Sequence, residues 1–294
     1  MVDQFVNSFS FIDLFAGMGG FHLALHQLGG GCVYASEIDS FARKTYEANF
    51  KNISPSLFEK NLFRGDITLN ENQECIPFDV DILCAGFPCQ AFSIAGLQKG
   101  FSDSRGTLFF EIAKILKNKQ PKSFLLENVR HLLKHDDGKT FDVIYNILTK
   151  ELNYTVYYKI IKASDHGLPT FRPRIYIVGF RHDIEKKEEF KFPDSSSLKF
   201  TMSDVFEGKC SREIGKTITV GGRGSKINAP RNWDAYLVDG QIKVLTSKEA
   251  KKMMGYPSDF VFPVSNTQAL KQLGNSIAID PVRAIANNIL KIIK

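Results

Sequence analysis

Cys89 stands in the segment GFPCQAFS, residues 86–93, directly after the apolar run DVDILCA at residues 79–85. A cysteine thiolate can add to an electron-poor carbon and later leave it. Pro88 restricts the backbone ahead of that thiol, while Cys84 lies inside the apolar run and reads as core. A lone loop cysteine is more often packed than reactive, so Cys89 needs companions. One companion group is FIDLFAGMGGF at residues 11–21, with Glu37 twenty residues beyond Gly17. Glycines there let the backbone approach a ligand, and an acidic side chain at the end of the next strand can accept hydrogen bonds from two ribose hydroxyls. The spacing is not the GxGxxG of pyrophosphate binding, which points to a nucleoside cofactor without one. Asp66, in Gly65-Asp66-Ile67, can accept from an adenine amino group, although an aspartate in a turn is usually a turn residue. Glu127 ends the run KSFLLE, residues 122–127, and Arg172 and Arg174 alternate along a strand-like run, so they point to one side.

These groups need a scaffold that brings them to one edge. Apolar runs at residues 8–15, 31–36, 79–85, 122–127, 154–161 and 174–180 read as strands. Helical spacing occupies 21–28, 40–50, 107–118 and 139–148. Alternation of this kind predicts an α/β fold with a mostly parallel sheet and helices on both faces, and ligands in such sheets bind outside the carboxyl ends of the strands. The pattern breaks in the charged stretch 183–197. Short β-like runs follow at 217–220, 236–238 and 242–245, and helices return at 247–254, 268–273 and 279–293. The expected division is a large domain from residues 1–180 and 247–294 around a small loop-rich domain at 181–246.

The 294 residues carry a net charge of +6, a mild basic excess that suits a nucleic-acid partner without demanding one. Five scattered cysteines show neither CxxC pairs nor zinc spacing, so neither a metal nor disulfides are expected. No apolar run reaches the roughly 18–20 residues of a membrane span, and no secretory leader is evident, so the expectation is a cytoplasmic protein without membrane contact.

In order along the chain stand FIDLFAGMGGF, Glu37, Gly65-Asp66-Ile67-Thr68, GFPCQAFS, RGTLFF at 105–110, Glu127-Asn128-Val129, Arg172-Pro173-Arg174 and Gly274-Asn275-Ser276. Each motif is short, but the series resembles the bacterial DNA (cytosine-5) methyltransferases of restriction-modification systems, of the HhaI type, over about residues 11–180 and 245–293. The resemblance implies a Rossmann-like S-adenosylmethionine-dependent methyltransferase domain plus a small target-recognition domain. S-adenosylmethionine would be the cofactor and S-adenosylhomocysteine its product. Their pocket would comprise Phe15, Gly17, Gly19, Gly20, Glu37, Ile38, Asp66, Ile67, Pro88, Leu108, Asn275 and Ser276, with Phe15 and Ile38 sandwiching the adenine.

The chemistry it implies suits the residues. Carbon-5 of cytosine is a poor nucleophile until something adds to carbon-6, a task the resemblance gives to Cys89. Glu127 would donate to N3 and accept from the exocyclic amine. Arg174 would bind the base carbonyl oxygen, with Arg172 in support. Thr170 and Pro173 depart from the family pattern, which commonly has Gln and Glu there. The base would be flipped from duplex DNA at a cost of a few kcal/mol, and Ser93, Lys99 and Arg105 would clamp the backbone. A monomer is expected, functionally paired with a restriction endonuclease.

Within 181–246, the segment TITVGGRGSKI at 217–227 presents Arg223 and Lys226, and Arg231, Asn232 and Trp233 follow as candidates for further DNA contacts. Such a loop suits the major groove, where Arg pairs with guanine; a basic loop touching phosphates alone fits equally. Two other activities use the same residues. One is methylation of cytosine in transfer RNA, against which the GGRGSK insert argues weakly. The other is cofactor-dependent DNA binding without catalysis, against which the complete set of Cys89, Glu127 and Arg174 argues.

Overall fold

The computed structural model describes residues 8–88, 108–184 and 188–294. Strands β1 (Phe9–Leu14), β2 (Gly30–Ser36), β3 (Phe63–Arg64), β4 (Ile82–Gly86), β5 (Ser123–Val129), β6 (Tyr154–Lys162) and β7 (Pro173–Arg181) form one sheet, in the order β3-β2-β1-β4-β5-β7-β6. The first five pair in parallel, and β7 runs antiparallel between β5 and β6. Helices α1 (Gly20–His26), α2 (Ser40–Phe50), α3 (Pro55–Glu59), α4 (Asn70–Glu74), α5 (Leu108–Lys119) and α6 (Lys139–Asn146) connect or flank these strands. Beyond β7 come α7 (Met202–Phe206), the hairpin β8 (Ala235–Val238) and β9 (Gln241–Val244), then α8 (Ser247–Met253), α9 (Asn266–Asn275) and α10 (Ile279–Ile293).

The central strands are apolar throughout because both faces are covered. Alternation assigns the residues: Phe11, Ile82, Cys84 and Leu125 pack into one core with α1 and α10, while Ile12, Leu14, Leu83, Phe124 and Leu126 pack into another with α5 and α6. Met202, Val205, Ile218, Trp233, Tyr236 and Val238, from the region after β7, join the first core beside Met253 and Leu273. The run at 217–220, expected to be β-like, is irregular; Thr170 instead bridges to Gly215 just before it. No helix among the described residues is long and apolar enough to cross a membrane.

The chain builds outward from β1 through β2 to β3 on one side and from β4 to β5 on the other. The connections that leave β1 and β4 therefore part in opposite directions, which opens a crevice at the carboxyl edge of those two strands. Because β7 is reversed, its amino end, with Arg172 and Arg174, reaches that same edge.

Candidate active site

A cleft of about 530 Å³ lies at this edge. Its wall includes Phe15, Gly17 and Gly20 after β1, Glu37 and Ile38 after β2, and Pro88 after β4. Leu108 of α5, Glu127 of β5, Arg172, Arg174, and Asn275 and Ser276 from the end of α9 complete the expected set. Gly19, Asp66 and Ile67 do not line it. Gly19 caps α1 with φ +92°, and a Cβ there would fall 2.1 Å from the Phe50 ring, so the position serves packing. Asp66 Oδ1 accepts from the Thr68 N–H at 2.9 Å and its hydroxyl at 2.8 Å, shaping a turn. The Ile67 side chain is buried in the second core. Cys89, Ser93, Lys99 and Arg105 lie outside the described residues; Cys89 follows the cleft residue Pro88 directly in sequence.

Glu37 is held from two sides. Its Oε2 accepts from the Gly17 N–H and its Oε1 from the Asp39 N–H, each at 2.7 Å, which aims the carboxylate into the cleft with a lone pair left on each oxygen. Burial raises its pKa, and those two amide bonds offset part of the rise. Asp39 also caps α2, accepting from Phe41 and Ala42 at 2.9 Å, and meets Lys271 of α9 at 3.7 Å across the cleft. Beside Glu37, Ile38 is 71% exposed, an apolar side chain on the wall without an apolar cover.

At the other end, Glu127 sits opposite Gly86 in the β4–β5 register. Arg174 Nε approaches Glu127 Oε1 at 3.0 Å, both side chains nearly buried, yet without hydrogen-bond alignment, so that oxygen lacks a hydrogen-bond donor among the described residues. The next residue, Asn128, donates to the Phe87 carbonyl at 2.9 Å and so fixes the backbone leading into Pro88.

Arg172 is spent differently. Its guanidinium donates to the carbonyls of Gly274 (3.1 Å), Ile218 (3.4 Å) and Ser276, tying three remote segments together. Burial, then the neighbouring Arg174, push its pKa down to about 9, so it stays charged at neutral pH. Its role is positional: it seats the Asn275-Ser276 turn against the cleft. Arg172→Met is expected to lower unfolding stability by about 2–4 kcal/mol, because it strands buried carbonyls. Urea denaturation checks this, and an unshifted midpoint would mean the carbonyls find other donors.

Sequence reasoning missed the face of α9 formed by Gln268, Lys271 and Gln272. The signal was present as polar residues spaced i, i+3, i+4 up to Asn275 on a helix otherwise apolar on its inner side. Five of the eight buried side-chain polar atoms without a partner among the described residues belong to Glu127, Arg172, Gln268 and Gln272, all on the cleft wall. Both amide atoms of Gln272, only 8% exposed, are among them. Unpaired buried polar groups are costly, so their concentration here marks a place made to be filled. Asn232 and Trp233, expected near DNA, are instead buried at 1% and 3% exposure. Among the described residues, no group of three or more His, Cys, Asp or Glu side chains is arranged to hold a metal ion.

Comparison with known proteins gives the family. A family model described as C-5 cytosine-specific DNA methylase matches residues 9–219 and 202–291. The Type II methyltransferase M.SsoII of Shigella sonnei is 44% identical, over 95% of this chain and 79% of its own length. The Type II methyltransferase M.HhaI of Haemophilus parahaemolyticus is 40% identical, over 98% of this chain and 96% of its own. Among solved structures, a mutant of Spodoptera frugiperda DNMT2 superposes with TM-score 0.70 at 17% identity, covering 96% of this chain and 100% of that one. A putative DNA modification methyltransferase encoded in an E. coli prophage gives TM-score 0.70 at 20% identity, covering 97% and 99%. At those identities the structures speak for the fold.

Proposed function

Because this chain belongs to the C-5 cytosine-specific DNA methylase family and is therefore a DNA (cytosine-5) methyltransferase, we propose that it methylates one cytosine, flipped out of a short duplex sequence, through a covalent bond to Cys89. The observation that carries this reading is the single cleft shared by Glu37 at one end and the Glu127–Arg174 pair at the other. One end suits a nucleoside, the other a polar heterocycle.

The wall fits S-adenosylmethionine. Glu37 keeps lone pairs for two ribose hydroxyls, and Phe15 and exposed Ile38 offer apolar faces for adenine. A Cβ at Gly17 would meet nothing within 4 Å, so the turn leaves room for a ligand. Asn275, Ser276 and the unpartnered amide of Gln272 can hold the amino-acid portion. When bound, the cofactor supplies an electrophilic methyl group.

The remaining work falls to the protein. The Cys89 thiolate adds to carbon-6, and the electrons of the 5,6 double bond become available at carbon-5. Glu127 donates to N3 and so relieves the charge that addition places on the ring, while its second oxygen accepts from the exocyclic amine and excludes thymine. Arg174 holds the base carbonyl oxygen and keeps Glu127 oriented. After methyl transfer the carbon-5 proton passes to water, the thiolate is eliminated, and N3 returns its proton to Glu127, restoring the aromatic ring and the starting enzyme. Arg223 and Lys226, both exposed, face the duplex from the region after β7, which acts as a target-recognition domain at 181–246. Its likeness to Type II methyltransferases supports a functional pairing with a restriction endonuclease.

Ribose binding needs ionised Glu37. Its raised pKa therefore makes S-adenosylhomocysteine affinity fall with decreasing pH sooner than an exposed glutamate would allow. Calorimetric titration across acidic pH should show this, and Glu37→Gln should abolish the dependence; a profile identical in both would remove Glu37 from ribose binding. The function itself is tested by offering labelled S-adenosylmethionine with mixed-sequence duplex DNA and with transfer RNA, followed by cytosine-conversion sequencing. Label at one short DNA motif is expected; label confined to RNA would favour the RNA reading.

A further inference from the structure

We propose that Asn232, Trp233 and Asp234 are positioning residues for DNA sequence readout, fixing the rim loop at 219–231 in one shape without touching DNA themselves. This rests on the DNA-methylating reading above. The loop springs from the cleft wall, where Ile218, Thr219 and Val220 line the crevice. Gly274, at the end of α9, packs directly on it: a Cβ there would lie 3.1 Å from the Thr219 backbone. The loop's cations Arg223, Lys226 and Arg231 are exposed, while the three residues that follow turn inward, each at most 3% exposed.

What those three do inside is specific. Trp233 Nε1 donates to the Gly221 carbonyl at 2.8 Å. Asn232 Nδ2 donates to the Ser225 carbonyl at 3.0 Å and to Asp234 Oδ1 at 3.1 Å. Asp234 Oδ2 accepts the Gly224 N–H at 3.0 Å. The residues on both sides of Arg223 and just before Lys226 are thus pinned from below. Gly222 completes the fit: its φ is +87°, and a Cβ would fall 2.3 Å from the Arg231 carbonyl oxygen, so the two limbs of the loop lie in contact. Arg223 itself reaches Thr267 of α9 at 2.9 Å, which keeps its side chain at the cleft rim.

Burying an asparagine and an aspartate is unfavourable unless their polar atoms are paired. Here two of the four hydrogen bonds made by those side chains go to the backbone of a loop whose outer surface is basic; the others join Asn232 to Asp234 and to Lys216. Base readout by Arg depends on the angle at which the guanidinium meets a base edge, and a loop already ordered loses less entropy on binding. Both considerations assign the buried triplet to discrimination between sequences.

Trp233→Phe tests this, because it keeps the aromatic packing and removes the N–H that holds Gly221. The readout is the ratio of methylation rates at the preferred motif and at motifs one base different, with S-adenosylhomocysteine affinity measured in parallel. The ratio should fall at least about tenfold, with affinity changed less than about twofold. A ratio equal to the parent's would overturn the proposal, and so would loss of S-adenosylhomocysteine binding, which would show a general structural role. Asp234→Asn gives a second reading of the same ratio. A parent chain that methylates DNA without sequence preference would overturn this inference alone; one that methylates no DNA would overturn the functional reading beneath it.

Discussion

Replacing Cys89 by alanine is expected to reduce methyl transfer by roughly 10⁴-fold or more, in line with the loss of other enzymatic nucleophiles, while duplex DNA and S-adenosylhomocysteine still bind. The size follows from the chemistry. Without addition at carbon-6 the ring has no route to a nucleophilic carbon-5, and no other described cysteine can substitute. Cys84 is fully buried within β4, with its thiol pKa pushed up by burial and by nearby Asp13. Cys32 is buried and similarly raised, and Cys75 and Cys210 are absent from the cleft wall. Binding should persist because the residues that hold cofactor and backbone are other side chains. Single-turnover transfer and gel-shift binding, measured on the same preparation, separate the two effects. Residual turnover near the parent's would remove covalent catalysis from the account.

The second large effect is expected at Glu127. Glu127→Gln preserves shape and an acceptor beside Arg174 but removes the proton donated to N3, a contribution typically worth 10²–10⁴-fold. The loss should fall on kcat at saturating DNA and cofactor, with KM for DNA little changed, because the proton matters as charge develops on the ring. A rise in KM with kcat preserved would make Glu127 a binding residue. Arg174 sharpens the expectation. Its guanidinium is nearly buried and faces Glu127 at 3.0 Å, so an aliphatic residue at 127 would leave a buried cation unpaired and confuse catalysis with folding. Glutamine removes the counter-charge but keeps an amide oxygen facing the guanidinium, which limits the loss to folding.

Much of this site was legible in the sequence, for a physical reason. Strands buried on both faces announce themselves as apolar runs, and residues at their carboxyl ends must share one edge. Glu37 and Glu127 are therefore assignable to one crevice from the sequence alone. Pro88 and the Gly17 turn followed by the same logic, and the order of the motifs supplied the chemistry. What stayed hidden depends on contacts between distant segments. The partners of Arg172 lie 46 to 104 residues away, so an arginine expected to support the base is seen instead fastening the Gly274–Ser276 turn. The reversed β7 was not readable either, since an apolar strand pattern carries no direction. β3 has two residues, too few for any periodicity. Asn232 and Trp233 look like surface contacts in a basic segment, and only the fold shows them turned inward beneath the loop.

The central claim, a covalent route through Cys89 to carbon-5, is tested most directly with duplex DNA carrying 5-fluorocytosine at the methylated position. Fluorine at carbon-5 cannot leave as a proton does, so elimination of the thiolate is blocked after methyl transfer. In the presence of S-adenosylmethionine the account predicts a protein–DNA adduct that survives denaturation, with peptide mass mapping placing the bond on Cys89. Efficient methylation of ordinary cytosine at the same site with no such adduct, or an adduct on another residue, would contradict it.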